Sequence, residues 1–199
     1  KNSNKRTRPS KEQFINQAIQ FHLKGNIPEA TKCYQYCINQ GFDDHRVFSN
    51  FAGILQGLGK LEHAELSLRK AIELKPDYAK AYSNLGIILK DLGKSKEAEL
   101  SYRKAIEIKT DYAEVHSNLG TILKDLGKSD QAELSYRKAI EIKPDDAEAH
   151  YNLGNILKDI GKSEEAELAT RKAIYLKPDY ADAHSNLGHI LIDLSKLNE

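Results

Sequence analysis

The feature that most constrains this chain is a 34-residue phrase that occurs twice in succession between Ala79 and Asp146. The first copy reads AKAYSNLGIILKDLGKSKEAELSYRKAIEIKTDY and the second AEVHSNLGTILKDLGKSDQAELSYRKAIEIKPDD, with agreement at 26 places. Copying at a fixed period of this length marks a stacked array, in which each unit buries its apolar face against the next. Such arrays build binding surfaces, so the first expectation is a surface for a partner.

The frame extends in both directions without insertion or deletion. It divides the chain into units at 11–44, 45–78, 79–112, 113–146 and 147–180, followed by a partial unit at 181–199. Residues 1–10 form a polar, basic leader that is expected to be disordered. Each unit carries two apolar-periodic segments separated by a short break. Gly25, Gly59, Gly93, Gly127 and Gly161 recur at that break, where a left-handed helix end is easiest without a Cβ. Ser95, Ser129 and Ser163 follow two residues later and are expected to cap the second helix. Pro76, Pro144 and Pro178 close units because proline cannot continue a helix interior.

Small residues at the eighth place (Ala18, Ala52, Gly86, Gly120, Gly154, Gly188) and the twentieth (Ala30, Ala64, Ala98, Ala132, Ala166) predict close helix approach. Larger neighbours such as Leu85, Leu89 and Tyr102 are expected to fill the space between. On a helical wheel the packed side of the first helix at Ala79 takes Tyr82, Leu85, Gly86, Leu89 and Leu92. Lys80, Ser83, Asn84, Ile87, Lys90 and Asp91 share the opposite arc.

The succession N-L-G, G-K, E-A or Q-A, an aromatic, R-K-A-I and a closing proline resembles the tetratricopeptide repeat (TPR) family. The resemblance covers 11–199 and is most specific over 45–191. The first unit departs from it at Gln17, Cys37 and Phe42, and is read as a divergent N-terminal cap. The copies are also similar to the superhelical arm of O-linked N-acetylglucosamine transferases and to repeat arms of bacterial proteins. The resemblance implies an all-α, right-handed superhelical α-solenoid. It further implies that the first helices line a concave groove that takes a protein or peptide.

Within that frame the sixth place never changes: Asn16, Asn50, Asn84, Asn118, Asn152 and Asn186. A side-chain amide offers a donor and an acceptor, matching the peptide group of an extended ligand. The resemblance implies such an asparagine ladder along the groove; the alternative is hydrogen bonding to a neighbouring helix. Lys90, Lys124 and Lys158, each followed by Asp91, Asp125 and Asp159, suit a mixed-charge ligand or pair with each other. The ninth place varies through Ile87, Thr121 and Asn155, where selectivity would reside. A clamp for chaperone carboxylates is disfavoured, since it wants basic residues where Ser83 and Ser117 stand.

Other patterns received structural readings. His116, His150 and His184 fall on the packed side, one per unit, with no close metal set. Glu65–Arg69, Glu99–Arg103, Glu133–Arg137 and Glu167–Arg171 are i,i+4 pairs expected to face solvent. Leu66, Leu100, Leu134 and Leu168 form an apolar row off the packed face, a candidate self-association ridge. Leu187, Leu191 and Leu194 lie on a last helix without a successor, which suggests either a chain cut from a longer protein or an end that packs on another copy.

Charge and composition exclude several classes. A net charge of +1 gives no general pull to nucleic acid or membrane, and the second place shifts from Lys80 to Glu114, Glu148 and Asp182, against an RNA-binding stripe. No run is long enough to span a bilayer. Cys33 and Cys37, four apart on one helix, are expected to be reduced thiols, as in a cytoplasmic protein. No nucleophile–base pair, phosphate loop, cofactor motif or metal set is found, so an enzyme is not expected. The functional expectation is therefore a peptide-binding scaffold. The alternative is a non-catalytic recruiting or oligomerising arm of a larger enzyme whose catalytic domain lies beyond Glu199.

Overall fold

The computed structural model describes residues 10–197, with side chains described to residue 195. The leader, Ser10 excepted, lies outside the described residues. Every described element is a helix, and two helices occur per 34-residue unit. They are α1 Lys11–Leu23, α2 Ile27–Asn39, α3 His45–Gly57, α4 Leu61–Leu74, α5 Ala79–Asp91, α6 Ser95–Ile108, α7 Ala113–Asp125, α8 Ser129–Ile142, α9 Ala147–Asp159, α10 Ser163–Leu176 and α11 Ala181–Leu197. The helices form an all-α helical solenoid of two compact units. Lys1–Leu92 contains α1 to α5 and Gly93–Glu199 contains α6 to α11. The division falls at the Gly93 turn inside the 79–112 repeat.

The turns explain the glycines. Gly127 has φ +71°; its N–H donates to Lys124 O at 2.9 Å and the Lys128 N–H donates to Leu123 O at 2.8 Å. This Schellman arrangement satisfies the last carbonyls of α7. Helix starts differ from expectation. Ser95, Ser129 and Ser163 are the first residues inside their helices; Lys94, Lys128 and Lys162 occupy the cap position and make no side-chain cap bond. The Gly-Lys turn is one residue too short for the serine to stand outside the helix. At α1, by contrast, Ser10 and Gln13 form a reciprocal capping box.

Packing runs between neighbours in sequence. In the first unit α1 packs on α2, α2 on α3, α3 on α4 and α4 on α5; in the second the same holds from α6 to α11. First helices also touch the next first helix, α3 with α5, α7 with α9 and α9 with α11. That extra neighbour widens the buried arc beyond the wheel reading. Ala81, Ser83 and Ile88 are buried along with Leu85, Gly86 and Leu89, while Tyr82 and Leu92 are only half-buried. Ile88, Ile122 and Ile156 are fully enclosed, each contributing about 1.5–3 kcal/mol by burial.

The small-against-large pattern has a direct geometric basis in α7 and α8. A Cβ on Gly120 would sit 2.7 Å from Cε1 of Tyr136, and Tyr136 is itself buried. In the next repeat Thr170 replaces that tyrosine and its hydroxyl approaches Gly154 directly. Ala30, Ala64, Ala98, Ala132 and Ala166 are all fully buried. The divergent first repeat builds its core from Ile15, Ala18, Ala30, Tyr34, Cys37, Val47 and Ile54. Burial pushes the Cys33 and Cys37 thiols up, so both stay protonated and weakly nucleophilic.

Candidate functional site

The invariant asparagines separate into two groups. Asn50 is half-buried, near the buried Tyr34 phenol, whose pKa is pushed up to about 12 by burial, with the Asn50 side chain lowering it. Asn16 is exposed. Asn186 is 5% exposed; its Oδ1 accepts from Lys158 Nζ at 2.9 Å and its Nδ2 is left without a partner among the described residues. The preceding repeat thus engages the Asn186 carbonyl through Lys158. Asn84, Asn118 and Asn152 are half-buried, and no side-chain hydrogen bond involves them among the described residues.

The charged residues of the first-helix face form links between repeats. Lys124 Nζ lies 3.2 Å from Asp159, and Gln56 Nε2 donates to Asp91 at 3.3 Å. The twelfth place of one repeat thus reaches the thirteenth place of the next. Lys158 instead turns to Asn186. Lys90 and Asp125 stand at equivalent places, Lys90 exposed at the end of α5 and Asp125 at the end of α7. At the ninth place Ile87, Thr121 and Asn155 are half-buried. Thr121 is tied to Tyr136 Oη at 3.1 Å, so that position also serves packing.

A cleft of about 440 Å³ opens beside the free amide of Asn118, lined by Tyr112, Glu114, Ser117, Lys143, Asp146 and Glu148. Asp146 is occupied locally, accepting from the Glu148 and Ala149 N–H groups and lying 3.4 Å from Lys143 Nζ. Glu114 and Glu148 are exposed. The cleft therefore combines an amide, a hydroxyl, an aromatic edge and two solvent-facing carboxylates.

Three patterns turn out to do other work. The histidines are not core residues throughout: His116 is buried, His150 half-buried and His184 exposed. Each Nε2 stands 2.8–3.0 Å from a carbonyl six residues earlier, at Thr110, Pro144 and Pro178. The imidazole spans the turn that a proline or threonine opens, holding the carbonyl against the next helix. Among the described residues no three metal-ligating side chains converge, and no helix is long and apolar enough to cross a membrane.

The glutamates of the second helices are not solvent-facing. Glu65, Glu99 and Glu133 are buried, and the turn of the next repeat closes over Glu99 and Glu133. Glu99 accepts from Arg103 Nε at 3.0 Å and from Lys128 Nζ at 2.7 Å; Glu133 accepts from Arg137 and from Lys162 at 2.9 Å. Arg137 also reaches Glu165 at 2.6 Å. Burial alone would raise both carboxyls, but the hydrogen bonds from lysine and arginine overcome it and hold them below the usual range. Helical spacing shows only the arginine; the lysine, 29 residues on, becomes visible when the 34-residue frame is stacked.

Leu66, Leu100 and Leu134 are each 67% exposed and Leu168 71%, as the wheel places them. On α11, Leu187 and Leu194 are half-buried and Leu191 exposed, while Ile190 is fully enclosed; Leu194 has interactions of its own.

Comparison with known proteins agrees with this architecture. A TPR repeat profile matches residues 57–93 and 120–161, and a tetratricopeptide repeat profile matches 79–112 and 147–180. No curated protein matches the chain. Among solved structures, YrrB, described as a TPR protein with an unusual peptide-binding site, is 27% identical with a TM-score of 0.73; the match covers 83% of this chain and 86% of YrrB. MamA from Desulfovibrio magneticus is 17% identical at TM-score 0.76, covering 86% and 97%. A thermophilic TPR protein from Thermus thermophilus is 20% identical at TM-score 0.65, covering 92% and 100%. The profiles fall on the repeats that carry the Schellman turns, the buried alanines and the glycine–tyrosine contact, and the chain belongs to the tetratricopeptide repeat family.

Proposed function

We propose that this chain is a protein-interaction scaffold that holds an extended peptide segment on the first-helix face of the α6–α11 unit, through Asn118 and Asn152, with Asn84 the equivalent amide of the other unit. The observation that carries this reading is the unequal fate of one invariant residue: Asn186 accepts from Lys158 within the fold, whereas these three half-buried amides have no partner among the described residues. An amide held part-way out of water by a rigid helix gains from a ligand that supplies both a donor and an acceptor. The cleft beside Asn118 gives room for a ligand side chain, and its Glu114 and Glu148 favour a polar or cationic one. YrrB, at 27% identity, supports a peptide as the class of ligand.

Binding rather than catalysis follows, with Ile87, Thr121 and Asn155 tuning selectivity beside a shared backbone grip. Peptides selected against the chain from a random extended library supply the probe. Replacing Asn84, Asn118 and Asn152 by alanine removes up to three ligand hydrogen bonds at about 0.5–1.5 kcal/mol each. Affinity measured by fluorescence anisotropy is expected to fall about 10-fold or more with helicity unchanged. Equal affinity in wild type and triple variant refutes the asparagine grip.

A further inference from the structure

Within the unit formed by α6 to α11, the second place of each first helix is acidic: Glu114 on α7, Glu148 on α9 and Asp182 on α11. All three are exposed. Glutamates of the second helices are tied up in pairs, Glu107 with Lys104, Glu141 with Lys138 and Glu165 with Arg137. No side-chain hydrogen bond or ion pair holds Glu114, Glu148 or Asp182 among the described residues. Glu114 and Glu148 line one cleft, the opening of about 440 Å³ beside Asn118. The lysine on its rim, Lys143, lies 3.4 Å from Asp146, so these two offset each other and the cleft keeps the charge of the two glutamates. Among the described residues no three metal-ligating side chains converge, which disfavours a metal ion as the counter-charge. Carboxylates on adjoining helices suit instead the ammonium or guanidinium of a long side chain, which offers several donors at once.

The next step of the same face adds an aromatic surface. Tyr151 stands at the fifth place of α9, where α7 and α11 carry Ser117 and Ser185. Its ring centroid lies 4.9 Å from that of Tyr180, with the planes tilted by 44°, and both rings are half-buried. Burial pushes the Tyr180 phenol up, and the negative charges of Glu148, Asp182 and Asp146 act in the same direction. Carboxylates of successive repeats therefore act together on this pair. The fold itself shows what such rings accept: Lys177 Nζ sits 4.8 Å from the Tyr180 centroid, and Lys109 Nζ 4.9 Å from that of Tyr112. A ring face beside carboxylates attracts a cation through its quadrupole as well as through its neighbours' charge.

We propose that this stretch of the first-helix face selects peptides with basic side chains: one arginine or lysine enters the Asn118 cleft between Glu114 and Glu148, and a second lies on Tyr151 beside Glu148 and Asp182. The inference rests on the peptide reading above and adds to it the charge of the ligand. Peptides recovered from the random extended library are resynthesised in pairs, as selected and with every arginine and lysine changed to glutamine, and compared by fluorescence anisotropy. The recovered set is expected to be rich in arginine and lysine, the basic member of each pair binding about five-fold or more tighter at low salt. In E114Q/E148Q that preference is expected to fall to about two-fold or less. The glutamine peptides bind as before, and circular dichroism is unchanged because both side chains are exposed. Y151S, which gives α9 the serine found on α7 and α11, is expected to lower the preference about two- to five-fold. The triple asparagine variant weakens both members of a pair alike and leaves the preference intact. Recovery of no peptide overturns the peptide reading and this inference with it. Bound peptides without basic residues, or a preference that either E114Q/E148Q or Y151S leaves unchanged, overturn this inference alone.

Discussion

Replacing Glu133 by glutamine tests the joint between consecutive repeats. The Glu133 carboxylate is buried and accepts four hydrogen bonds, two from Arg137 at 2.9 and 3.1 Å and two from Lys162 at 2.9 and 3.1 Å. A hydrogen bond to a charged group is worth about 1.5–3 kcal/mol. Arg137 and Lys162, however, are close to half exposed and regain water when the carboxylate is neutralised. The net cost of E133Q is therefore expected at about 1–2 kcal/mol, or about 2–8 °C in Tm for a chain of this length. Chemical denaturation of E133Q, K162M and the double variant, followed by circular dichroism, gives the coupling energy. It is expected at about 1 kcal/mol. The exposed Lys138–Glu141 pair, 2.7 Å apart, serves as the control and is expected to couple by no more than about 0.5 kcal/mol. Coupling in the Glu133 cycle no larger than in the control would show that burial under the next turn does not strengthen the joint.

Two further predictions follow from the same geometry. Gly120→Ala drives a Cβ to 2.7 Å from the enclosed Tyr136 ring and is expected to cost about 1–3 kcal/mol in denaturation experiments. Gly53→Ala, on α3 with nothing within 4 Å of its Cβ, is expected to stabilise by about 0.5–1 kcal/mol; equal effects at the two sites would refute the packing argument. Because Glu99 and Glu133 have folded-state pKa values depressed below the ordinary 4.5, their stabilisation is present above pH 4.5 and lost as pH falls through the folded values. Thermal unfolding across that window should show a falling Tm in the wild type and a flatter profile in E99Q/E133Q.

Much of the fold was legible because each signal repeats. One glycine is weak evidence for a turn, but five at a spacing of 34 leave little else, and all five have positive φ. The family and the helix pairs followed from the same redundancy. What a single helical wheel could not contain was the neighbouring repeat. Ser83 and Ile88 were misread or missed because an adjacent first helix covers them, and Glu99 and Glu133 because Lys128 and Lys162 reach back across a repeat. Among the six asparagines, identity was visible but occupancy was not. Asn186 accepts from Lys158, whereas the equivalent Lys124 reaches the aspartate of the next repeat, Asp159.

The lysine–glutamate joint also bears on how such a chain changes length. Both halves are encoded in one 34-residue segment: the lysine at its sixteenth place reaches backward, and the glutamate at its twenty-first receives from the segment that follows. A tandem duplication in frame therefore brings its own fastening, with no compensating change needed in the older copies. The near-identity of 79–112 and 113–146 is what such an event leaves behind. A gene built this way can lengthen or shorten its product by whole units, while selection acts mainly on the few places per unit that face a ligand.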